Sequence, residues 1–406
     1  MSAVEVSAGR TSDAGPVLVP ILGVVFVGFL VTGMALPVLP LHVHQTLGLG
    51  TFFVGLVTGS QFAAALLTRM WAGGFADTRG AKRAVVFGLC ASSLAGLLYL
   101  ASVPLAGNPA LSGTFLLLGR FVLGAGESFI ITGALGWGVA RAGARHTGKV
   151  MAWMGTAMYA AFAAGAPAGS WLYSREGFIA IAWATLALPL APLLLLRRLP
   201  GALPVTDARP SFVVVLHAVW VPGLGLALTS LGFGAITGFV ALLFAARSWD
   251  PVWPPFTAFA LCFMLARVLL GHMVDKLGGA RIALVSIAIE AAGLGLLWTA
   301  PSFAWAVGGA ALTGLGYSLV YPGFGVEAVR RAPPQSSALA MGAYTACLDL
   351  ALGAGTPALG AIASKWGLGS VFLVSTAVVA LAAVIAIGML LQARTGGVNG
   401  APRPAA

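Results

Sequence analysis

Charge is what this chain has least of, because only 8% of its 406 residues are Asp, Glu, Lys or Arg. A soluble domain is about a quarter charged, so the shortage excludes that class. In place of charge, 59% of the residues are hydrophobic and the mean hydropathy is +0.97. Apolar runs of about 20 residues, enough to cross a bilayer as a helix, recur from end to end. The chain is therefore predicted to be an integral membrane protein.

Cysteine is also scarce, and its placement predicts neither a metal site nor a disulfide framework. Cys90, Cys262 and Cys347 lie far apart, each inside an apolar run. The runs also lack the apolar–polar alternation of a membrane β-barrel, as "VFLVSTAVVALAAVIAIGMLL" illustrates. The 55 glycines suit helices that pack closely through small residues. We therefore predict an all-α, polytopic fold that binds no metal.

Charged or Gly/Pro-rich interruptions divide the chain into twelve candidate spans. The predicted domains are a tail (1–16), a six-helix bundle (17–197), a central loop (198–211), a second six-helix bundle (212–391) and a tail (392–406). The spans are 17–42, 52–73, 84–106, 112–140, 149–173, 178–197, 212–246, 253–272, 282–300, 303–329, 337–364 and 369–391.

Basic residues are divided unequally between the two ends of these spans. Only Arg175, Arg247 and Lys365 fall at one end, and Arg120 falls inside a span. Because short cytoplasmic loops are enriched in Lys and Arg, both termini are predicted to be cytoplasmic and the protein to lie in the inner membrane. The net charge of +11 comes from these loops, so no nucleic-acid partner is expected. The eighteen basic residues at the other end are Arg10, Arg69, Arg79, Lys82, Arg83, Arg141, Arg145, Lys149, Arg197, Arg198, Arg209, Arg267, Lys276, Arg281, Arg330, Arg331, Arg394 and Arg403.

The chain contains an internal repeat. "GGFADTRGAKR" and "GHMVDKLGGAR" share Gly, Asp, Gly and Arg at an offset of 198 residues, and Arg69 and Arg267 precede them at the same offset. "LGAGES" and "TGLGYS" correspond at an offset of 190. Parallel half-repeats of this kind build transporters that rock about a central site. The repeated positions are Gly73, Asp77, Gly80 and Arg83, and Gly271, Asp275, Gly278 and Arg281.

These motifs resemble those of the major facilitator superfamily over essentially the whole chain. "GGFADTRGAKR" is similar to the loop signature G-x-x-x-D-R-x-G-R-[KR], from which it departs at Thr78 and Ala81. "GRFVLGAGES" resembles the fourth-helix signature, an Arg four residues before G-x-G. The chain also looks like the bacterial efflux proteins of the YfcJ and YhhS kind. The resemblance implies two pseudo-symmetric bundles, no enzymatic activity, and alternating access by a monomer.

Few ionisable residues lie inside the spans, where a charge costs about 2.5–3.5 kcal/mol at the bilayer centre. Arg120 and Glu127 stand seven residues apart on one face of helix four, with Gly124 between them. Glu127 is expected to exchange protons and substrate, and Arg120 to couple the two events. The alternative is a static pair that sets helix packing. Asp349, in helix eleven, is either a second proton-exchanging group or a hydrogen-bonded packing residue.

Helices nine and ten supply further candidates. Tyr317, Tyr321 and Phe324 form an aromatic stripe at i, i+4 and i+7, and Tyr317 is the repeat equivalent of Glu127. The stripe is predicted either to line a cavity for an amphipathic or cationic ligand or to pack between helices. Glu290 is expected to pair locally. Glu327 is expected to pair with Arg330.

The repeated phrases are interpreted as joints between helices two and three of each half. Asp77 would bind a neighbouring helix end in one conformation and release it in the other, while Gly73 and Gly80 permit a tight turn. A G-x-x-x-x-G-K match beginning at Gly143 lacks the required hydroxyl at Val150, so no nucleotide cofactor is predicted.

The predicted function is secondary transport, with a small solute, protons and the lipid bilayer as partners and without cofactor. The leading hypothesis is proton-coupled efflux. The alternative is proton-coupled uptake or facilitated diffusion of a sugar or organic acid. Scattered carboxylates do not form an enzyme-like cluster. No sequence feature excludes a non-transporting receptor.

Overall fold

The computed structural model describes residues 14–143, 146–201, 212–332 and 337–398, and within these ranges the chain is helical with no strand. A π-helical turn, His42–Thr46, extends the first helix, and a 3-10 turn, Leu188–Leu190, joins the sixth to the seventh. The helices are α1 (Ala14–Leu41), α2 (Thr51–Arg79), α3 (Ala81–Ser102), α4 (Pro109–Ala142), α5 (Thr147–Glu176), α6 (Phe178–Ala187), α7 (Ala191–Arg198), α8 (Phe212–Ala246), α9 (Pro254–Leu270), α10 (Met273–Leu277), α11 (Gly279–Thr299), α12 (Phe303–Arg331), α13 (Ser337–Trp366) and α14 (Leu368–Val398).

Ten helical segments in the described ranges are long and apolar enough to cross a membrane. They are Leu18–Thr46, Thr51–Arg79, Ala81–Leu105, Pro109–Ala142, Phe178–Arg197, Val215–Ala246, Gly279–Thr299, Phe303–Arg331, Leu339–Trp366 and Leu368–Gln392. Helix α9 is apolar but has only 17 residues, and α5 has 30 residues but is less apolar. The fold is therefore that of an all-α, multi-pass membrane protein.

The two repeated phrases are more helical than the sequence predicted. The expected loop from Gly73 is the last part of α2, and α3 begins at Ala81 after a single residue. That residue, Gly80, has φ +94°, a conformation that a side chain would strain. In the second phrase Gly278, with φ +89°, separates the short α10 from α11 in the same way. The turns at Gly80 and Gly278 are thus as predicted, whereas the loops around them are not.

Glycines allow neighbouring helices to touch through their backbones. A Cβ at Gly88 of α3 would lie 2.5 Å from the carbonyl oxygen of Gly126 on α4. In the second half of the chain, a Cβ at Gly293 of α11 would lie 2.7 Å from the carbonyl oxygen of Gly309 on α12. Such close approach provides dispersion contact where lipid removes most of the hydrophobic driving force.

The first seven helices meet the last seven along α2–α13 and α5–α9, with a smaller contact between α1 and α8. A Cβ at Gly55 of α2 would lie 2.3 Å from the carbonyl oxygen of Thr356 on α13. Along the same seam the hydroxyl of Thr51 donates to the carbonyl of Gly360 at 2.9 Å. Between α5 and α9, the hydroxyl of Thr257 donates to the carbonyl of Ala163 at 2.9 Å.

We call the helix ends that carry Arg79, Lys82, Arg141 and Arg281 the basic end. Of the eighteen residues predicted there, Arg69 and Arg267 instead lie within α2 and α9. At the basic end the Lys82 ammonium donates to the carbonyl of Leu199 at 2.7 Å. Arg10, Arg145, Arg209 and Arg403 lie outside the described residues, as do most of the predicted tails and central loop.

At the opposite end, each basic residue lies over a tryptophan ring. The guanidinium of Arg175 is 5.2 Å from the centre of the Trp171 ring and that of Arg247 is 5.7 Å from the Trp249 ring. The ammonium of Lys365 is 5.0 Å from the Trp366 ring. Tryptophan is enriched at membrane–water interfaces, and a cation on its ring adds an attractive contact.

Candidate functional site

Glu127 is buried at the junction of three helices. On α4 its side chain faces α1 and α2, and the residue is only 7% exposed. One carboxylate oxygen accepts a hydrogen bond from the hydroxyl of Thr32, and the other accepts one from the side-chain amide of Gln61. These two neutral donors satisfy the carboxyl group without neutralising it. The carboxyl group of α4 is therefore held in place by donors from two other helices, α1 and α2.

Arg120, predicted to share a face of α4 with Glu127 two turns away, does not supply the hydrogen bonds to its carboxylate. The Nε and Nη1 atoms of Arg120 are buried and have no hydrogen-bond partner among the described residues. Its guanidinium lies within electrostatic range of the Tyr99 hydroxyl and of Glu127. Arg120 is thus close enough to influence Glu127 electrostatically, while Thr32 and Gln61 make the direct hydrogen bonds to the carboxylate.

Gly124 was predicted only to lie between the charges of Arg120 and Glu127. In the structure it also lets α2 come close enough for Gln61 to reach Glu127. A Cβ at this position would lie 2.0 Å from the carbonyl oxygen of Gln61. The backbones of α2 and α4 are thus in contact one turn before Glu127, at a distance that only glycine permits.

We expect Gly124→Ala to destabilise the protein by about 1–3 kcal/mol, the usual cost of overpacking. The added methyl group would push α2 away from α4 and lengthen the Gln61–Glu127 hydrogen bond. The measurement is the midpoint of thermal unfolding in detergent. Gly74→Ala is the matched control, because a Cβ at Gly74 of α2 has no heavy atom within 4 Å. An unchanged midpoint for Gly124→Ala would contradict the proposed close packing.

Asp349 has a cationic partner that the sequence analysis did not find. Its Oδ2 atom accepts hydrogen bonds from Nε of Arg69, at 2.9 Å, and from Nη2 of the same residue. Asp349 is buried on α13, whereas the Arg69 side chain, on α2, is 22% exposed. The pair therefore joins the two parts of the chain that the repeat relates. Arg69, four residues before the end of the predicted span 52–73, was counted only as one of the charges of the basic end.

Tyr317 and Tyr321 present their hydroxyls to other helices. Tyr317 stacks on Phe233 with ring centres 5.7 Å apart, and its hydroxyl lies 3.3 Å from that of Ser230. The Tyr321 hydroxyl lies 2.8 Å from the hydroxyl of Thr345. The third member of the predicted stripe, Phe324, is fully buried and packs against α8, so it does not extend the polar surface.

An aromatic contact joins α5 to α9 at the centre of the protein. The rings of Tyr159 and Phe263 are stacked with centres 3.5 Å apart, and Phe233 and Phe259 lie beside them. The Arg267 guanidinium lies 4.9 Å from the centre of the Phe263 ring. This cluster was not predicted from the sequence. The feature of the sequence that could have pointed to it is the correspondence of Tyr159 to Asp349 at the repeat offset of 190.

Glu290 does not have the local partner that was expected. The residue is 0% exposed, and neither carboxylate oxygen has a hydrogen-bond partner in the described part of the chain. It packs against Gly232 of α8 and Gly316 of α12. The predicted pair at the basic end is confirmed, because Nη1 of Arg330 lies 3.2 Å from Oε1 of Glu327.

The two copies of the repeated phrase lie in different surroundings. Asp77, near the end of α2, is half-buried, whereas Asp275 on α10 is exposed. Gly73 lies within α2, while Gly271 ends α9 and starts a bend before α10. Arg83 and Arg281 are exposed in the first turns of α3 and α11. The gating role of these residues stays a prediction.

No group of three or more metal-ligating side chains occurs within the described ranges. His42 and His44, which are close in sequence, do not face a common site. The ring of buried His42 stacks on Phe178 at 4.1 Å, and Nδ1 of exposed His44 lies 2.9 Å from the carbonyl oxygen of Leu49. The three cysteines are free.

Known proteins resemble the chain in sequence. A family model described as Major Facilitator Superfamily matches residues 21–253 and, separately, residues 248–406. An uncharacterized MFS-type transporter of Salmonella typhimurium is 40% identical over 367 residues, which are 90% of this chain and 95% of that one. An uncharacterized MFS-type transporter of Pseudomonas aeruginosa strain UCBPP-PA14 is 42% identical over 371 residues, covering 88% and 89% of the two chains.

Solved structures share the fold. A mutant of the nucleoside transporter NupG superposes with a TM-score of 0.72 at 15% identity, covering 92% of this chain and 99% of that one. A D-xylose-proton symporter superposes with a TM-score of 0.71, also at 15% identity, covering 91% and 97%.

Buried charges at helix junctions, a multi-pass helical fold and these relatives together define a membrane transport protein. The chain belongs to the major facilitator superfamily. The narrower efflux branch stays a prediction.

Proposed function

We propose that this protein is a secondary active transporter that exports a small organic solute by alternating access, in exchange for protons. The observation that carries the proposal is the buried carboxyl of Glu127, held by Thr32 and Gln61. An ionisable group inside a membrane protein is retained at a cost and usually serves an ion or substrate pathway. Because neutral donors hold Glu127, it can lose and regain a proton without breaking an ion pair.

The proposed architecture is twelve spans in two six-helix bundles, 17–197 and 212–391, with α5 and α9 added to the ten long apolar segments. It is supported by the repeat and by the contacts along α2–α13 and α5–α9. The basic end is proposed to face the cytoplasm, together with both tails and the loop 198–211. The working unit is proposed to be a monomer in the inner membrane. Reporter fusions at each terminus and at Arg175 test the orientation.

The ion pair between Arg69 and Asp349 supports alternating access. The pair joins α2 to α13. Arg69 lies ten residues before the end of α2, so the pair is about 15 Å from the basic end. An ion pair between two rigid bodies stabilises one of their arrangements and must break in the other. Protonation of Glu127 on one bundle would then be linked to opening of this contact with the other.

The test is a solute screen in proteoliposomes with an imposed pH gradient of either direction. Exchange for protons requires that the solute move in the direction opposite to the flow of protons. Reversing the pH gradient should then reverse the direction of solute movement. Movement together with protons would instead identify uptake by symport, and movement that ignores the gradient would identify facilitated diffusion. A receptor would give no flux for any solute.

We expect Asp77→Asn to slow transport by about tenfold or more, since the coupling energies of switching elements are typically 1–3 kcal/mol. The substitution keeps the shape of the half-buried side chain and removes its charge at the end of α2. The measurement is the initial rate of solute flux at equal amounts of inserted protein. Asp275→Asn, in the exposed copy of the phrase, is the matched control and should be less affected. Equal rates for both variants and the unmodified protein would reduce the phrase to an orientation signal.

A further inference from the structure

Arg267 is a cation without an anionic partner, placed where the two halves meet. Its Nη2 atom donates to the carbonyl of Ser318 at 2.7 Å, and its guanidinium lies over the ring of Phe263. Its Nε atom is buried and has no hydrogen-bond partner within the described ranges. Neither ion pair that occurs within the described ranges, Arg69–Asp349 or Arg330–Glu327, includes Arg267. The polar groups within electrostatic range of its guanidinium include the hydroxyls of Tyr159, Tyr317, Tyr321 and Tyr344.

The repeat indicates what is missing beside Arg267. Arg267 corresponds to Arg69 at an offset of 198, and Tyr159 corresponds to Asp349 at an offset of 190. In one copy an arginine on the second helix of a half binds an aspartate on the fifth helix of the other half. In the second copy the arginine is present, but tyrosine stands in the place of the aspartate.

The surroundings of Arg267 are those of a binding site. Both Arg69 and Arg267 lie within electrostatic range of the Tyr321 hydroxyl, whereas Asp349 is bound to Arg69 alone. The Arg267 side chain is intermediate in exposure and reaches across to α5, where its Nη1 atom would lie 3.6 Å from a Cβ at Gly155. The Tyr321 hydroxyl, 2.8 Å from that of Thr345, lies within electrostatic range of the charge. The rings of the Tyr159–Phe263 stack form an apolar wall under the guanidinium.

We propose that Arg267 binds the anionic group of the transported solute, which is a monoanion with an aromatic or apolar body. The anion binds the N–H groups of Arg267 beside Tyr159 and supplies the negative charge that Asp349 supplies to Arg69. A guanidinium binds a carboxylate or sulfonate through paired N–H groups, and a desolvated pair of this kind is a strong contact. The apolar body packs on Tyr159 and Phe263. A cationic ligand, which the aromatic stripe alone suggested, is disfavoured by the unpaired positive charge.

The inference deepens the proposed function by naming the substrate class, and its test needs no proton gradient. The full chain, purified in detergent, is heated with benzenesulfonate or with benzenesulfonamide. The first is permanently anionic at neutral pH and the second is a neutral analogue of similar shape. A ligand that binds the folded protein raises its unfolding temperature in a concentration-dependent way. We expect benzenesulfonate to raise the temperature and benzenesulfonamide to have little effect.

Three variants locate the site. Arg267→Gln should weaken benzenesulfonate binding by at least about tenfold, because it removes the charge from a partly desolvated pair. Tyr159→Asp should weaken it similarly while retaining Arg267, because the new carboxylate would occupy the guanidinium as Asp349 does in the other copy. Arg247→Gln, an exposed charge in the same half that lies over Trp249, is the matched control and should bind as the unmodified protein does. Each variant is first checked for a single folded species by gel filtration.

Equal effects of benzenesulfonate and benzenesulfonamide on the unmodified protein would overturn the proposal, whether or not the variants fold. It would also be overturned if folded Arg267→Gln bound benzenesulfonate as tightly as Arg247→Gln and the unmodified protein do. Anion binding without solute flux in proteoliposomes would retain this site and reject the transport proposal. Flux restricted to neutral or cationic solutes would do the reverse.

Discussion

Glu127→Gln is expected to reduce pH-gradient-driven transport to the level of protein-free vesicles, while the protein stays folded in the membrane. Glutamine has the size of glutamate, but its side-chain amide neither takes up nor releases a proton at physiological pH. Gln61 can turn its side-chain amide toward the new residue, since its own carbonyl oxygen is buried without a partner in the described part of the chain. The three-helix junction should therefore survive the substitution, and only proton coupling should be lost.

The measurement for Glu127→Gln has two parts, solute flux under an imposed gradient and proton release on solute addition, followed with an entrapped pH-sensitive dye. Both should vanish together. Exchange of solute across the membrane without a gradient should persist if the variant still alternates between its two conformations. Glu327→Gln is the matched control, because that carboxylate pairs with Arg330 near the basic end, away from the junction. Full gradient-driven activity of Glu127→Gln would reject Glu127 as the proton-exchanging group.

The second large effect is expected for Asp349→Asn, which leaves Arg69 without its anionic partner between α2 and α13. Removing one member of a buried ion pair costs about 3–5 kcal/mol, and we expect the lower end, ~3 kcal/mol, because the Arg69 side chain is 22% exposed. The lost interaction free energy destabilises the conformation in which the basic end is closed, because only that conformation contains the ion pair. A change of this size moves a two-state population by roughly two orders of magnitude. The variant should therefore rest with its basic end open and transport slowly.

The population change in Asp349→Asn can be measured directly. Spin labels at Lys149, near the start of α5, and at Leu270, at the end of α9, report the gap between the halves at the basic end, once the three native cysteines have been replaced. The distance should increase in Asp349→Asn and in Arg69→Gln. The exchanged pair, Arg69→Asp with Asp349→Arg, should restore part of the short distance. If the single variants keep the distance of the unmodified protein, the ion pair does not hold this end closed.

Hydropathy and the repeat were sufficient to predict most of the helices. The predicted span 212–246 is α8, Phe212–Ala246, and the predicted span 303–329 is α12, Phe303–Arg331. Both rest on local properties of the chain, since a membrane-crossing helix satisfies its own backbone and needs only enough apolar residues in a row. The same rule failed at residue 73, because α2 continues beyond its apolar run to Arg79. Helix length there is decided by the next glycine.

The candidate site could be predicted only in part. An acid inside an apolar run is visible in the sequence, so Glu127 and Asp349 were selected, but their partners were not. Thr32 is 95 residues from Glu127, and Arg69 is 280 residues from Asp349. Helical periodicity places a side chain on a face, and it does not say which helix covers that face. For that reason the sequence placed Arg120 on the same face of α4 as Glu127 but did not reveal Thr32 and Gln61, which hold the carboxylate.

The sequence by itself determined that this is a helical membrane protein, where most of its helices lie, and that its two halves share one design. Those properties depend on the transfer of apolar residues from water to lipid and on the local effects of glycine, which act over a few turns of chain. Only the tertiary structure decided which charges are paired. It joins Arg69 to Asp349 and leaves Arg267 opposite Tyr159, because backbone contacts at glycines such as Gly55 and Gly124 select which faces meet.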